Sequence, residues 1–271
     1  MMRLLALLWA LLVPPQQSRD VILATTTSTR DTGLLDSLVP RFERQTGYHV
    51  KVIAVGTGHA IANARRGDAD VVLVHAPELE RAMVDSGYFV NRRLVMHDVF
   101  LIVGPATDPA HIRGLADAAA AFRRIAEQRA AFVSRADNSG TEIRERALWQ
   151  AVGLAQPHGQ PWYIESGQGM GATLMLASEK NAYTLTDAAT FSSWRGNLDL
   201  DVLVQGDPVL YNVYHVMELS PRAGSRVNYA GGKAFADFLV APVTQQVIGD
   251  FGLAQFGRRL FIPDAGKPDR W

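Results

Sequence analysis

The sequence has no cysteine among its 271 residues. Disulfide bonds, thiolate metal sites, a cysteine nucleophile and a lipid-modified N-terminal cysteine are therefore excluded. It also has no excess of either charge, because 27 basic side chains balance 27 acidic ones. This balance does not favour nucleic acid as a partner, and 48% hydrophobic residues provide ample material for a buried core. We expect a folded protein that recognises a small molecule at one site.

An unbroken apolar run, Leu4 to Val13, follows a short cationic start. The run is too short to span a bilayer comfortably and is typical of a signal peptide, which we place at residues 1–19. Residues 14–18 lack the small-x-small pattern of a usual cleavage site, so an uncleaved anchor is the alternative. Since no lipid-modified cysteine tethers the chain, we expect a soluble protein of the Gram-negative periplasm.

The first third of the chain alternates between strand and helix patterns. Strands are predicted at residues 21–25, 50–55 and 71–74, with helices at about 33–46 and 59–66 between them. This βαβαβ order predicts a parallel sheet with helices on both faces. Ligands of such sheets bind beyond the carboxyl ends of the strands.

A second α/β series begins after Gly104 and Pro105 interrupt the pattern. Apolar runs beyond residue 200 then lead back toward the first series, so the chain crosses between the two regions twice. We predict an α/β protein of the type II solute-binding fold, with two lobes joined by a two-segment hinge and the ligand in the cleft. The predicted bounds are residues 20–103 and 213–271 for lobe 1 and residues 104–212 for lobe 2.

Hydroxyl side chains cluster at the end of the first strand, in the run Thr25 to Thr29. The N–H groups of a helix's first turn lack partners within the helix and carry positive partial charge, so hydroxyls placed there add donors for an anion. Helix capping accounts for one such residue but not for a whole run. The predicted oxyanion ligands from this half are Thr26, Thr27, Ser28 and, after the next strand, Thr57.

The segment Ser134 to Thr141 combines an arginine with a second hydroxyl-rich helix start. A hydrogen bond to a charged group contributes about 1.5 to 3 kcal/mol, against roughly 1 kcal/mol for a neutral one. We therefore expect Arg135 to make the largest single contribution to anion binding, and Asp137 to orient it or to cap the helix. The other predicted ligands are Ser139, Gly140, Thr141 and the N–H groups of Met170 and Gly171, which lie in a glycine-rich turn.

Other functional classes lack their usual signatures. The glycine-rich turn has neither the lysine nor the final hydroxyl of a nucleotide-binding loop, and the seven histidines show no paired metal spacing. His75 and His97 are assigned no role. No base–nucleophile pairing indicates an enzyme, and no appended domain indicates a sensor. We predict no catalysis, no cofactor and no bound metal cation.

Taken together, these motifs resemble the Tup-type tungstate-binding proteins of ABC importers. The matching stretches are residues 24–29, 54–58, 67–80, 134–141, 162–174 and 178–187. The resemblance implies that the protein captures tungstate or molybdate in the periplasm and delivers it to an inner-membrane permease; we expect a monomer. It assigns the oxyanion-binding role to the TTTS hydroxyls, Thr57, Arg135, Ser139 and Thr141.

One position departs from the resemblance, because Glu142 stands where such proteins usually have histidine. A carboxylate in the first turn of a helix suits the helix dipole but lies close to a bound dianion and weakens it if the two face each other. The sequence does not specify the direction of this side chain.

Two alternatives remain at this point, a phosphate-binding protein and a periplasmic oxyanion sensor. Tungstate and molybdate carry no proton at neutral pH and need only donors, whereas phosphate carries a proton that needs an acceptor. The predicted ligands are almost all donors, so a phosphate site would require Asp137 to contact the ligand. Residue types do not distinguish tungstate from molybdate.

Overall fold

Helices and strands alternate along the described chain, which comprises residues 18–155 and 157–269 of a computed structural model. The predicted signal peptide lies outside these residues except for Ser18 and Arg19. None of the helices in the two ranges has the length and apolar character needed to cross a bilayer. In chain order the elements are β1 (Asp20–Thr26), α1 (Thr27–Asp31), α2 (Leu34–Thr46), β2 (His49–Val55), α3 (Thr57–Arg65), β3 (Val71–Val74), α4 (Pro77–Asp85), β4 (Phe89–Gly104), α5 (Ala118–Glu127), β5 (Phe132–Ser134), α6 (Gly140–Ala151), β6 (Tyr163–Glu165), α7 (Met170–Glu179), β7 (Thr184–Asp187), α8 (Ala188–Trp194), β8 (Asp201–Val204), β9 (Tyr211–Leu219), α9 (Tyr229–Val240), α10 (Pro242–Asp250), α11 (Leu253–Phe256) and β10 (Ile262–Pro263).

An eight-stranded sheet includes six strands in the order β10-β4-β9-β3-β1-β2. β1 pairs in parallel with β2 on one side and with β3 on the other, which confirms the predicted βαβαβ unit. Every residue of β3 is buried, as expected of a parallel strand covered on both faces. The carboxyl ends of these three strands therefore lie at one edge of the sheet, and each leads into a helix.

β4 changes its pairing partners along its length. Its residues from Phe89 to Val99 pair with β9, whereas Phe100 to Gly104 pair with β7 and β8. Tyr183, directly before β7, bridges to Phe132 of β5. β5 in turn pairs in parallel with β6. β5, β6 and β7 are each followed by a helix as well, so β4 connects two sets of strand ends.

Each set of strands has its own hydrophobic core. Beside β1 and β3, Phe42 packs edge-on against Phe235, with the ring centroids 5.0 Å apart. Beside β5, Phe122 and Trp149 have ring centroids 4.4 Å apart and both contact Phe132. The lobe bounds given above stay a prediction.

Candidate functional site

The hydroxyl run at the end of β1 divides into two sets. Thr25 Oγ1 donates to a backbone carbonyl of β3 at 2.7 Å. Thr26 Oγ1 caps α1 by accepting from Thr29 N at 3.3 Å, and it lies 2.7 Å from Thr29 Oγ1 and 3.0 Å from Ser28 Oγ. These three threonines therefore stabilise the turn itself. Thr27 and Ser28 contact residues from other parts of the chain.

Arg135 extends from the end of β5 to this second set. Its side chain is 1% exposed, and its Nη2 donates to Thr27 Oγ1 at 2.9 Å and to Asp137 Oδ2 at 2.5 Å. Its Nη1 lies 3.5 Å from Thr141 Oγ1. Its Nε has no hydrogen-bond partner among the described residues. Because a buried donor without a partner is costly, this atom indicates a place for an acceptor.

The turn before α6 is held by carboxylates that face N–H groups of the protein itself. Asp137 Oδ1 accepts from Ser139 N at 3.1 Å and its Oδ2 accepts from Arg135, so this carboxylate holds both the turn and the guanidinium. Ser139 Oγ accepts from Glu142 N at 3.2 Å, and Glu142 Oε2 in return accepts from Asn138 N. This arrangement resembles a capping box, except that Glu142 accepts from the residue before the N-cap while Asp137 accepts from the N-cap N–H itself. The Glu142 carboxylate therefore points back at the start of its own helix.

The start of α3 packs directly against the same turn. Gly58 N donates to Asn138 O at 3.2 Å, and a Cβ atom at Gly56 would lie 2.4 Å from Asp137 O, so no side chain fits there. Between these glycines, Thr57 is fully buried and its Oγ1 has no hydrogen-bond partner in the part of the chain that the structure describes. Thr57 is thus a second buried donor that lacks an acceptor.

The glycine-rich turn before α7 reaches the site from the other side. A Cβ atom at Gly169 would lie 3.7 Å from Thr27 Oγ1. The Met170 side chain is buried in a hydrophobic cluster, and a Cβ atom at Gly171 would lie 2.7 Å from the Trp194 ring. Met170 and Gly171 can therefore offer only their first-turn N–H groups, which have no partner within the helix.

His75 lies at the site, although the sequence analysis assigned it no role. A Cβ atom at Gly140 would lie 2.6 Å from His75 Cε1, and His75 Nε2 lies 3.4 Å from Ser28 Oγ. Burial lowers the pKa of His75 to about 4, so the ring is neutral at pH 7. The sequence held one signal that could have identified His75. It directly follows β3, and Thr57 likewise lies just after the end of β2.

Two buried carboxyl groups lie behind His75 and Arg135. Asn212 Nδ2 donates to Asp98 Oδ1 at 2.6 Å, and Asp187 caps α8 by accepting from Thr190 N at 2.7 Å. Burial raises the pKa of Asp98 well above its usual range, and the charge of Asp187 raises it further. Burial likewise raises the pKa of Asp187. These shifts limit the negative charge near the site.

The structure brings predicted residues from both halves of the sequence together, while their roles in binding stay a prediction. The described residues contain no group of three or more His, Cys, Asp or Glu side chains arranged for a metal ion. The residues gathered around these contacts are Thr26, Thr27, Ser28, Thr57, Arg135, Ser139, Gly140, Thr141, Met170 and Gly171.

The chain is similar to known anion-binding proteins over most of its length. It matches the PBP superfamily domain over residues 13–243. The tungstate-binding protein TupA of Peptoclostridium acidaminophilum is 42% identical over 254 residues, which cover 93% of this chain and 88% of that protein. The chain belongs to the tungstate-binding protein family. This membership confirms the predicted resemblance and the periplasmic binding-protein fold.

A solved structure and a second similar sequence extend the comparison. The solved structure of TupA from Desulfovibrio alaskensis G20 has a TM-score of 0.75 and 42% identity, and the match covers 91% of this chain and 99% of that one. A Haloferax volcanii protein described as a "putative ABC transporter anion-binding protein" is 47% identical over 253 residues, which cover 92% of this chain and 73% of that protein.

Proposed function

We propose that the protein binds tungstate as a bare tetrahedral dianion and presents it to the permease of an ABC importer. The observation that carries this proposal is a pair of buried donors without acceptors, Arg135 Nε and Thr57 Oγ1. The turns that carry them meet where Gly58 N donates to Asn138 O. An acceptor bound there would satisfy groups from both halves of the sequence at once.

Two acids beside these donors, Asp137 and Glu142, are engaged by the protein itself. Asp137 accepts from Arg135 and from Ser139 N, and Glu142 accepts from Asn138 N. The site therefore offers hydrogen-bond donors to the ligand, and an anion that carries no proton suits it. This arrangement favours tungstate over phosphate, because the proton of phosphate requires an acceptor. Molybdate carries the same charge and fits the same donors, so the proposal includes it as a competing ligand.

The available donors are sufficient for tight binding. Nanomolar affinity corresponds to about 12 kcal/mol. A charged hydrogen bond from Arg135 contributes about 1.5 to 3 kcal/mol, and each neutral one roughly 1 kcal/mol. The starts of α3, α6 and α7 can each add up to about 1 to 2 kcal/mol in a partly buried site. We assign ligand contacts to the ten residues named above, with Thr26 acting mainly through the hydroxyls it supports.

The proposed ligand lies between two lobes, residues 20–103 with 213–271 and residues 104–212. β4 and β9 are the two crossing segments, and we propose that the lobes close around the ligand by bending there. We further propose that the chain is a periplasmic monomer, that it performs no catalysis and that it uses no cofactor. Its partner is then the inner-membrane permease of the importer.

Calorimetry tests the proposal directly. The purified protein is titrated with tungstate, molybdate, sulfate and phosphate. We expect tungstate and molybdate to bind at least about a hundredfold more tightly than phosphate, because only phosphate leaves its proton without an acceptor, a loss of about 1 to 3 kcal/mol. Tight binding of phosphate without tungstate binding would refute the proposal.

Thr57→Val separates a ligand role from a structural one. Valine has the shape of threonine but no hydroxyl, so the free protein loses a buried donor that had no partner. We expect an unfolding free energy that is unchanged or about 1 kcal/mol higher, together with about tenfold weaker tungstate binding. The matched control is Thr184→Val, because Thr184 is equally buried but donates to Val133 O at 2.8 Å. This control should lower stability and leave affinity unchanged; unchanged affinity in Thr57→Val would remove Thr57 from the site.

A further inference from the structure

Five polar side chains form a continuous hydrogen-bonded row from the hydroxyl run to a buried carboxyl group. Thr26 Oγ1 lies 3.0 Å from Ser28 Oγ, which lies 3.4 Å from His75 Nε2. On the other side of the ring, His75 Nδ1 lies 2.7 Å from Asn212 Oδ1, and Asn212 Nδ2 donates to Asp98 Oδ1 at 2.6 Å. No member of the row is more than 4% exposed.

Asn212 fixes the direction of the protons in this row. Its Nδ2 donates to Asp98 and lies 3.1 Å from Tyr214 Oη, so its oxygen faces His75. His75 Nδ1 must then carry the ring proton, and a neutral imidazole leaves Nε2 as an acceptor. Nε2 therefore accepts from the Ser28 hydroxyl. In the free protein Ser28 turns its proton toward His75 and its lone pairs toward an approaching anion.

We infer that His75 is a positioning residue of the anion site, which makes Ser28 a donor by taking up one proton when the dianion binds. This inference rests on the proposed function. The proton comes from the solvent and binds to Nε2, which then donates to Ser28 Oγ. The proton of Ser28 is thereby free to point at the anion. The negative charge of the ligand stabilises the imidazolium that forms.

The groups around His75 explain why the dianion is needed. Burial is the main cause of its low pKa; Arg135 and Arg144 lower the pKa as well, whereas the Asn212 hydrogen bond and Asp137 raise it. A dianion beside Arg135 offsets that positive charge. The rings of Tyr214 and Phe100 lie beside His75, with centroids 4.8 and 6.4 Å away, as does Gly140 at the start of α6. The charged residues Glu78, Arg81 and Arg146 line a cavity of about 370 Å³ that His75 also borders.

Calorimetry in several buffers measures the proton directly. Tungstate is titrated into the full-length protein at pH 6.0, 6.8 and 7.5, in pairs of buffers that differ in ionisation enthalpy. The dependence of the binding heat on that enthalpy gives the number of protons taken up. We expect uptake of a large fraction of one proton at pH 6.0. Affinity should then fall as the pH rises, with a limiting slope of about tenfold per pH unit.

Two substitutions distinguish positioning from a structural role. In His75→Gln the amide takes the place of Nε2 and donates to Ser28 without titrating, so we expect binding without proton uptake and without pH dependence. His75→Asn keeps a donor toward Asn212 but loses the Ser28 contact, and we expect about tenfold weaker binding with no uptake. The control is His158→Gln, since this half-exposed histidine pairs with Glu165 on the surface. It should retain wild-type uptake.

The outcomes separate this inference from the proposed function. No tungstate binding by the wild-type protein would refute both. Tungstate binding without proton uptake, or uptake that persists unchanged in both His75 variants, would overturn the role of His75 and leave tungstate binding intact. The wild-type proton count needs no variant, so the test holds even if a His75 variant fails to fold.

Discussion

Glu142 serves the fold and opposes the ligand at the same time. Its carboxylate accepts from Asn138 N just before α6 and lies 3.8 Å from Arg146 Nε, one turn further along. A negative charge in the first turn is favourable for the helix dipole. The same charge repels a dianion bound at that helix start. Its orientation toward Asn138 N reduces this repulsion without removing it.

Glu142→Gln is therefore expected to improve binding and weaken the fold. The amide oxygen can still accept from Asn138 N, but the negative charge is gone. We predict about three- to tenfold tighter tungstate binding and an unfolding free energy lower by up to about 1 kcal/mol. Calorimetry and urea unfolding measure the two effects. Weaker binding in this variant would mean that the charge organises the site instead of opposing the ligand.

At the scale of elements, α6 links the anion site to the core of the β5 side. Its first residue, Gly140, packs against His75, where a Cβ atom would lie 2.6 Å from Cε1 and 2.9 Å from the His75 carbonyl oxygen. Further along the helix, Glu145 Oε1 accepts from Trp149 Nε1 at 3.0 Å and from Tyr163 Oη at 2.7 Å. The position of the helix start thus depends on packing at both places.

Gly140→Ala should disturb the site because the backbone of His75 cannot yield easily. We expect a loss of about 1 to 3 kcal/mol in unfolding free energy, as for other overpacked positions, and at least tenfold weaker tungstate binding. Urea unfolding and calorimetry provide the measurements. Gly196→Ala is the control, since nothing lies within 4 Å of its Cβ position. Equal behaviour of the two variants would contradict the close packing of α6 on His75.

Glu145 should make stability depend on pH. Burial raises its pKa from about 4.5 to about 7. Between these pH values the unfolded chain has lost the proton that the folded protein retains. The unfolding free energy therefore falls by about a few kcal/mol as the pH rises from about 4.5 to 7, and then levels off. Glu145→Gln should flatten this part of the urea-unfolding profile, whereas Glu127→Gln, at an exposed position, should not.

At the scale of the whole molecule, ligand contacts and chain crossings connect the same two halves. β4 pairs with β9 through Val99 and with β7 from Phe100 onward. The proposed anion adds a second connection, from the starts of α3 and α6. A ligand that binds only the folded protein at a hundred times its Kd stabilises it by about 2.7 kcal/mol. Because its donors come from both halves, that stabilisation should act on both.

Spectroscopic probes can test this joint stabilisation. Three of the five tryptophans, Trp149, Trp162 and Trp194, lie between residues 104 and 212, so fluorescence reports mainly on that half, whereas circular dichroism reports on both halves. We predict that saturating tungstate raises the urea midpoints of tryptophan fluorescence and of circular dichroism together. A circular dichroism component that keeps its midpoint while the fluorescence midpoint rises would contradict a ligand shared by both halves.

Local patterns were sufficient for most helices and strands, but not for those that depend on distant partners. The first part of β4 contains Arg92 and Arg93, so the sequence did not predict a strand there. In the structure these guanidinium groups pair with carboxylates of other elements, Arg92 Nε with Glu80 of α4 at 3.0 Å and Arg93 Nη2 with Glu218 of β9 at 2.9 Å. β7 and α8 were likewise missed, because segments of four and seven residues are too short to give a clear periodic signal.

The donor chemistry of the site follows from residue types at the ends of strands, because parallel strand order alone brings Thr26 and Thr57 to one edge of a sheet. The folded chain was needed to show which hydroxyls have no hydrogen-bond partner within the protein, where Glu142 points and that His75 lies beside Ser28. Those properties depend on contacts between residues far apart in sequence, 108 positions for Arg135 with Thr27 and 137 for His75 with Asn212. No local pattern encodes such contacts, since only tertiary packing brings the partners within hydrogen-bond distance.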